Sequence, residues 1–146
     1  MSFDIRIPCN CLKNGLTKWP DFKEKLELRD GMVDTKDEYS SDLELEKKFD
    51  EWQFCEHDQI AYEKSMAQSI LGWRKHVQDK YPNRFPNFEK FIPISNDNSI
   101  HDYNKLETII EIEELKKIEN TEYHDRLNQF IKLLNKAIEL DQNIYW

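Results

Sequence analysis

The chain has 146 residues, a formal net charge of −8, and 34% charged against 38% hydrophobic residues. That length is one domain's worth, enough to bury a single core. The charge excludes the basic face of a typical nucleic-acid binder, and no run approaches the roughly 18 apolar residues of a membrane span.

Eight Phe, six Tyr and four Trp supply the burial that a disordered chain lacks. Three Gly leave little material for the repeated tight turns of an all-β sandwich. The opening Met-Ser-Phe-Asp-Ile-Arg-Ile lacks the basic flank and apolar stretch of a secretory signal, so a cytoplasmic location is expected. In such a reducing compartment, clustered cysteines point to metal binding before disulfides.

Taken in order, Phe3, Ile5 and Ile7 alternate with Asp4 and Arg6, the period of a half-buried strand ending at Pro8. A loop through Trp19-Pro20 follows. Leu26–Arg29 and Met32–Asp34 flank Asp30-Gly31, a two-residue hairpin signal. Residues 35–41 read as an exposed connection. Leu45, Phe49 and Trp52 then form one stripe of a helix over 43–54. Tyr62, Met66, Ile70, Trp73, Val77 and Tyr81 predict a longer helix over 58–81, with Asp58 as N-cap and Gly72 as a weak point. Pro82 and Pro86 end it. Phe85, Phe88, Phe91 and Ile92 make a short aromatic segment, and residues 95–103 a polar loop. Leu106, Ile109, Ile110 and Leu115 predict a helix over 104–118. Thr121 reads as the N-cap of a last helix over 122–141, with Tyr123, Leu127, Phe130, Ile131, Leu134 and Ile138 at three- and four-residue steps. The expected fold is a single domain over residues 1–146, α+β and mainly α-helical, with a small N-terminal sheet or hairpin packed on a helical bundle.

All three cysteines and one of the four histidines fall in two short motifs, Cys9-Asn10-Cys11 and Cys55-Glu56-His57. Three thiolates and an imidazole are the ligand set of a closed Cys3His zinc site. In an extended segment Cys9 and Cys11 project to one side. Cys55 continues the buried stripe of the preceding helix, and His57 lies in the break before the next. Closing that site would tie the N-terminal strand to the helical body. Competing readings are three packed thiols with a surface histidine, a C-x-C redox pair, or a Cys9–Cys55 disulfide. An iron–sulfur cluster would normally need four thiolates.

Catalytic alternatives rest on less. Pro8-Cys9-Asn10-Cys11 is one residue short of the P-C-x-x-C of zinc deaminases, and no histidine is followed two positions later by Glu. Cys55 with His57 or another histidine could form a cysteine-based hydrolase, but that needs an exposed, low-pKa thiol. His-Asp pairs at 57–58, 101–102 and 124–125 resemble those of HD-type phosphohydrolases, which implies a metal-dependent hydrolase closed by Asp125 or Asp141. Acidic runs at 42–46 and 111–114 read as solvated faces, as do His76 and His124.

The Ile-Pro-Cys-Asn-Cys segment, a helix carrying Phe-Asp-Glu-Trp, and Cys-Glu-His resemble a group of small bacterial proteins. Their shared mark is an early C-x-C and a C-x-H after a tryptophan-bearing helix. The likeness covers about the first 60 residues and implies that Cys9, Cys11, Cys55 and His57 act together, without implying an activity. In size and acidity the chain is also similar to immunity proteins that neutralise toxins. The expected function is therefore protein binding by a zinc-stabilised domain whose partner has a basic face, with no nucleic-acid or membrane partner.

Overall fold

The computed structural model describes residues 2–14, 24–50, 55, 57, 60–93 and 101–146. Strand β1 (Ser2–Pro8) leads directly into a one-turn helix, α1 (Cys11–Asn14). Strands β2 (Leu26–Arg29) and β3 (Met32–Thr35) follow, then helix α2 (Leu43–Asp50), strand β4 (Ile60–Ala67) and helix α3 (Trp73–Lys80). Helices α4 (Pro86–Phe91), α5 (Lys105–Ile118) and α6 (His124–Leu140) complete the chain. The α+β, mainly helical architecture is as expected from the sequence, and none of the described helices is long and apolar enough to cross a membrane.

The main correction lies in the expected helix over 58–81. Residues 60–67 are instead β4, antiparallel to β1 with Phe3 opposite Met66 and Ile7 opposite Tyr62. A 3-10 turn at Gln68–Gly72 and the shorter α3 take up the rest. Tyr62, Met66 and Ile70 satisfy a four-residue step and a two-residue step equally, so the stripe did not discriminate. What decides is the partner: β1 carries backbone donors and acceptors that an isolated strand could not satisfy. The register shifts between Ile7 and Pro8, where proline has no N–H to give. On its other edge β1 exchanges two backbone bonds with Tyr145, Arg6 N–H to Tyr145 O and Tyr145 N–H to Arg6 O, each 2.8 Å.

The hairpin forms as the sequence indicates. Asp30 (φ 51°) and Gly31 (φ 81°) both take positive φ, as a type I′ turn requires. Asp42 ends the following connection by accepting from Leu45 N–H at 3.0 Å, capping α2, and by pairing with Lys25 at 2.7 Å. The expected positions Trp52 and Phe54, the Trp19-Pro20 loop and the Asp58 cap lie outside the described residues.

Among the described residues the buried side chains form two clusters. The larger joins Ile5 and Ile7 of β1, Met66 of β4, the aromatic segment Phe85, Phe88 and Phe91, and the inner faces of α5 and α6. Phe91 meets Phe130, Tyr103 and Trp146 edge to face, with centroids 5.2–5.6 Å apart. The α6 stripe is buried at Leu127, Phe130, Leu133, Leu134 and Ala137, while Ile138 turns partly outward. Thr121 does not cap that helix; it opens a 3-10 turn, Thr121–Tyr123, that leads into α6. In α5 the inner face is Thr108, Ile112 and Leu115, and the apolar Leu106 and Ile110 face outward. The smaller cluster is Leu26 and Val33 of the hairpin, Leu45 of α2, and Cys9, Cys11 and Cys55.

Candidate metal centre

Cys9 and Cys11 are delivered by the end of β1 and the start of α1. The segment is not the extended one that alternation suggests. A bend at Asn10 turns the chain, and Asn14 N–H closes on Asn10 O at 3.0 Å. The Asn10 carbonyl, two residues past β1, thus closes the turn, and Cys11 becomes its first residue. The C-terminal end of α6 holds this corner: Gln142 Nε2 donates to Cys9 O at 3.0 Å, Asn10 Nδ2 reaches Leu140 O at 3.5 Å, and Lys13 pairs with the Asp141 carboxylate. Asp141 itself adopts the left-handed conformation (φ 50°) that terminates α6.

Cys55 lies in the bend after α2, and His57 in a turn whose carbonyl accepts from Ile60 N–H at 3.2 Å as β4 begins. The β1–β4 pairing therefore brings the two motifs to the same end of the sheet. Cys9 Sγ stands 3.5 Å from Cys55 Sγ, and Cys11 Sγ 3.2 Å from His57 Nδ1. All four donor atoms lie within 4.8 Å of one another. A tetrahedral ion with Zn–S bonds of ~2.3 Å separates its sulfurs by about 3.8 Å, so the donors already stand near that spacing. The four residues expected from sequence are the four brought together, with His57 Nδ1 turned to the group. The three cysteines are buried and none forms a disulfide; His57 is exposed at the rim.

Burial and crowding favour the neutral thiol at both cysteines of the first motif. Burial first, then the neighbouring Cys9 and Cys55 thiols, push Cys11 up to about 12. Burial likewise raises Cys9, with Cys55 adding to the rise against a backbone hydrogen bond from Cys11. Cys55, the residue a cysteine-based hydrolase would use, is only 3% exposed, whereas reactive thiols are ordinarily accessible. A divalent ion among them would supply the positive charge that draws the protons off. An apolar hollow of about 250 Å3 touches Cys9 and is walled by Leu12, Leu28 and Val33, but the other three donors do not line it.

Among the described residues, the remaining histidines do not gather with aspartates into a His-Asp site. His124 Nε2 bonds Lys116 O at 2.7 Å, and His101 packs against the Tyr145 ring at 4.8 Å. Burial, aided by the charge of Lys105, lowers the pKa of His101. Among the described residues, Cys9, Cys11, Cys55 and His57 are the group whose donors converge as metal ligands do. Sequence reading missed a different pairing: His76 Nε2 lies 3.1 Å from Oε1 of Glu119, a fully buried carboxylate that Lys80 also approaches at 3.4 Å. Glu119 sits 43 residues away, on another helix end, and no local pattern signals the contact.

Comparison with protein-family models, curated proteins and solved structures returns no match.

Proposed function

We propose that the protein is a zinc-stapled binding domain, in which Cys9, Cys11, Cys55 and His57 hold one Zn2+ with every position of its tetrahedron filled by protein. The observation that carries this reading is the makeup of the smaller core. Among the described residues three of its six buried members are thiols, set among Leu26, Val33 and Leu45. Three thiols and an imidazole gathered from two distant segments at one point are what a folding-coupled metal site requires. Four protein ligands leave no coordination position for substrate, the arrangement of a structural site.

Protein purified without a histidine tag is expected to carry close to one zinc per chain. Cys55→Ser should lower that content and the melting temperature together. A metal-free wild-type preparation that melts at the same temperature as the metal-loaded one would overturn the assignment.

The binding half of the reading draws on charge and on the outer face of α5. Leu106 and Ile110 are 63% and 53% exposed one turn apart, beside the exposed Glu107, Glu113 and Glu114. Apolar anchors ringed by carboxylates suit a protein partner with a basic face, and toxin neutralisation is the concrete form of such a role. Co-expression with the product of the neighbouring gene, followed by pull-down, tests it. A complex whose association slows as salt rises and weakens in Ile110→Lys supports the reading, and failure to recover any complex counts against it.

A further inference from the structure

A second site stands apart from the thiols, at the junction of the 3-10 turn Gln68–Gly72 with α3. Ser69, Gly72, Trp73, His76 and Tyr123 line an open cavity of about 270 Å3. Three features of its lining bear on what it could hold. Gly72 is the first. It has φ −75° and ψ −13°, ordinary for any residue, and a Cβ built on it meets nothing within 4 Å. Neither the φ,ψ values nor the neighbours call for glycine, which stands at the N-cap of α3. What its lack of a side chain preserves is the space above it.

The second feature is Glu119. Its carboxylate is fully buried at the C-terminal end of α5, where the helix dipole disfavours negative charge. Burial pushes its pKa up, but hydrogen bonds from His76 and Tyr81 and the charge of Lys80 outweigh that and hold it below the ordinary range. A buried carboxylate that engages one imidazole nitrogen fixes the ring and makes the other nitrogen a better acceptor. With Nε2 given to Glu119, Nδ1 of the half-exposed His76 is left for a ligand. The third feature is Trp73, only part-buried, whose ring meets Tyr123 at 89° and 4.9 Å and His76 at 69° and 5.6 Å.

The chemistry narrows the ligand. Rings in mutual contact leave no gap for an ammonium group between them, so this is not a cation cage. The carboxylate behind His76 discourages an anion. The volume falls below the ~300–1,000 Å3 of sites for drug-sized molecules, which leaves room for one substituted ring. An aromatic surface bordered by a hydroxyl and an acceptor nitrogen suits a neutral ring with apolar C–H faces and hydroxyl edges. We infer that this cavity binds a single sugar residue, stacked on Trp73 with a hydroxyl donating to His76 Nδ1. The site is independent of the metal reading.

Nitrogen-15 NMR titration of the whole protein tests it with methyl β-glucoside, methyl β-galactoside, methyl α-mannoside and N-acetylglucosamine, and with choline and inorganic phosphate as contrasting probes. At least one sugar should shift the signals of Ser69, Trp73, His76 and Tyr123. Gly72→Leu should weaken that binding tenfold or more without lowering the melting temperature, and Gly72→Ala by less. Trp73→Leu, checked for folding by its spectrum, should abolish it. The inference is overturned if no sugar shifts these signals at tens of millimolar, or if choline or phosphate shifts them instead. It is overturned equally if sugar shifts persist undiminished in Gly72→Leu, or if Gly72→Leu and Gly72→Ala both unfold the chain.

Discussion

At the scale of single residues, the hairpin turn shows how one side chain's absence is used twice. Gly31 needs its positive φ for the turn, and a Cβ there would lie 2.6 Å from the Tyr145 ring. Gly31→Ala is therefore expected to cost about 1–3 kcal/mol in urea unfolding. The loss should shrink when Tyr145→Ala is made as well, because the clash is removed and only the backbone strain remains. Glu119 gives a prediction in pH. Its folded pKa lies below the unfolded value of about 4.3, so its contribution is complete above that value and fades as pH falls through the folded one. Wild type should exceed Glu119→Gln in stability at pH 7, and the gap should narrow as pH falls below the unfolded value of about 4.3. A gap that stays constant from neutral to acid pH would show that the carboxylate is not held ionised by His76, Tyr81 and Lys80.

At the scale of elements, α6 was the most legible part of the sequence, because Leu127, Phe130 and Leu134 repeat at helical steps that no strand period matches. Leu134 is fully buried, and Leu134→Ala should lose about 2–5 kcal/mol; a loss within ~0.5 kcal/mol in chemical denaturation would place the stripe at the surface. The hairpin was legible for an equally local reason, the Asp30-Gly31 pair. β4 was not. Its alternation of Tyr62, Lys64 and Met66 is weak, and only the distant β1 makes it a strand. In α5 the apolar Leu106 and Ile110 drew attention to the wrong face, since hydrophobicity alone does not tell a core position from an exposed anchor. The buried face is instead marked by Thr108, whose hydroxyl bonds Asn104 O at 2.6 Å and so buries without an unpaired polar group. The four candidate ligands could be grouped from residue type alone, but the bend at Asn10 that aims two of them could not.

At the scale of the whole molecule, the described residues form two unequal cores that share the β1–β4 pair. Ile5, Ile7 and Met66 belong to the large one, while Ala61 packs on the small one. The large core has four fully buried phenylalanines and can hold itself; the small one is held, on this account, by its ion. Removal of the metal should then act regionally before it acts globally. Hydrogen exchange followed residue by residue, before and after treatment with a chelator, reads this difference between the cores. The amides of Asp34 and Lys36 in the hairpin and Glu46 in α2 should lose protection by tenfold or more on metal removal, while those of Phe130 and Leu134 change much less. Protection of Asp34, Lys36 and Glu46 that is the same with and without metal would contradict a metal-held small core.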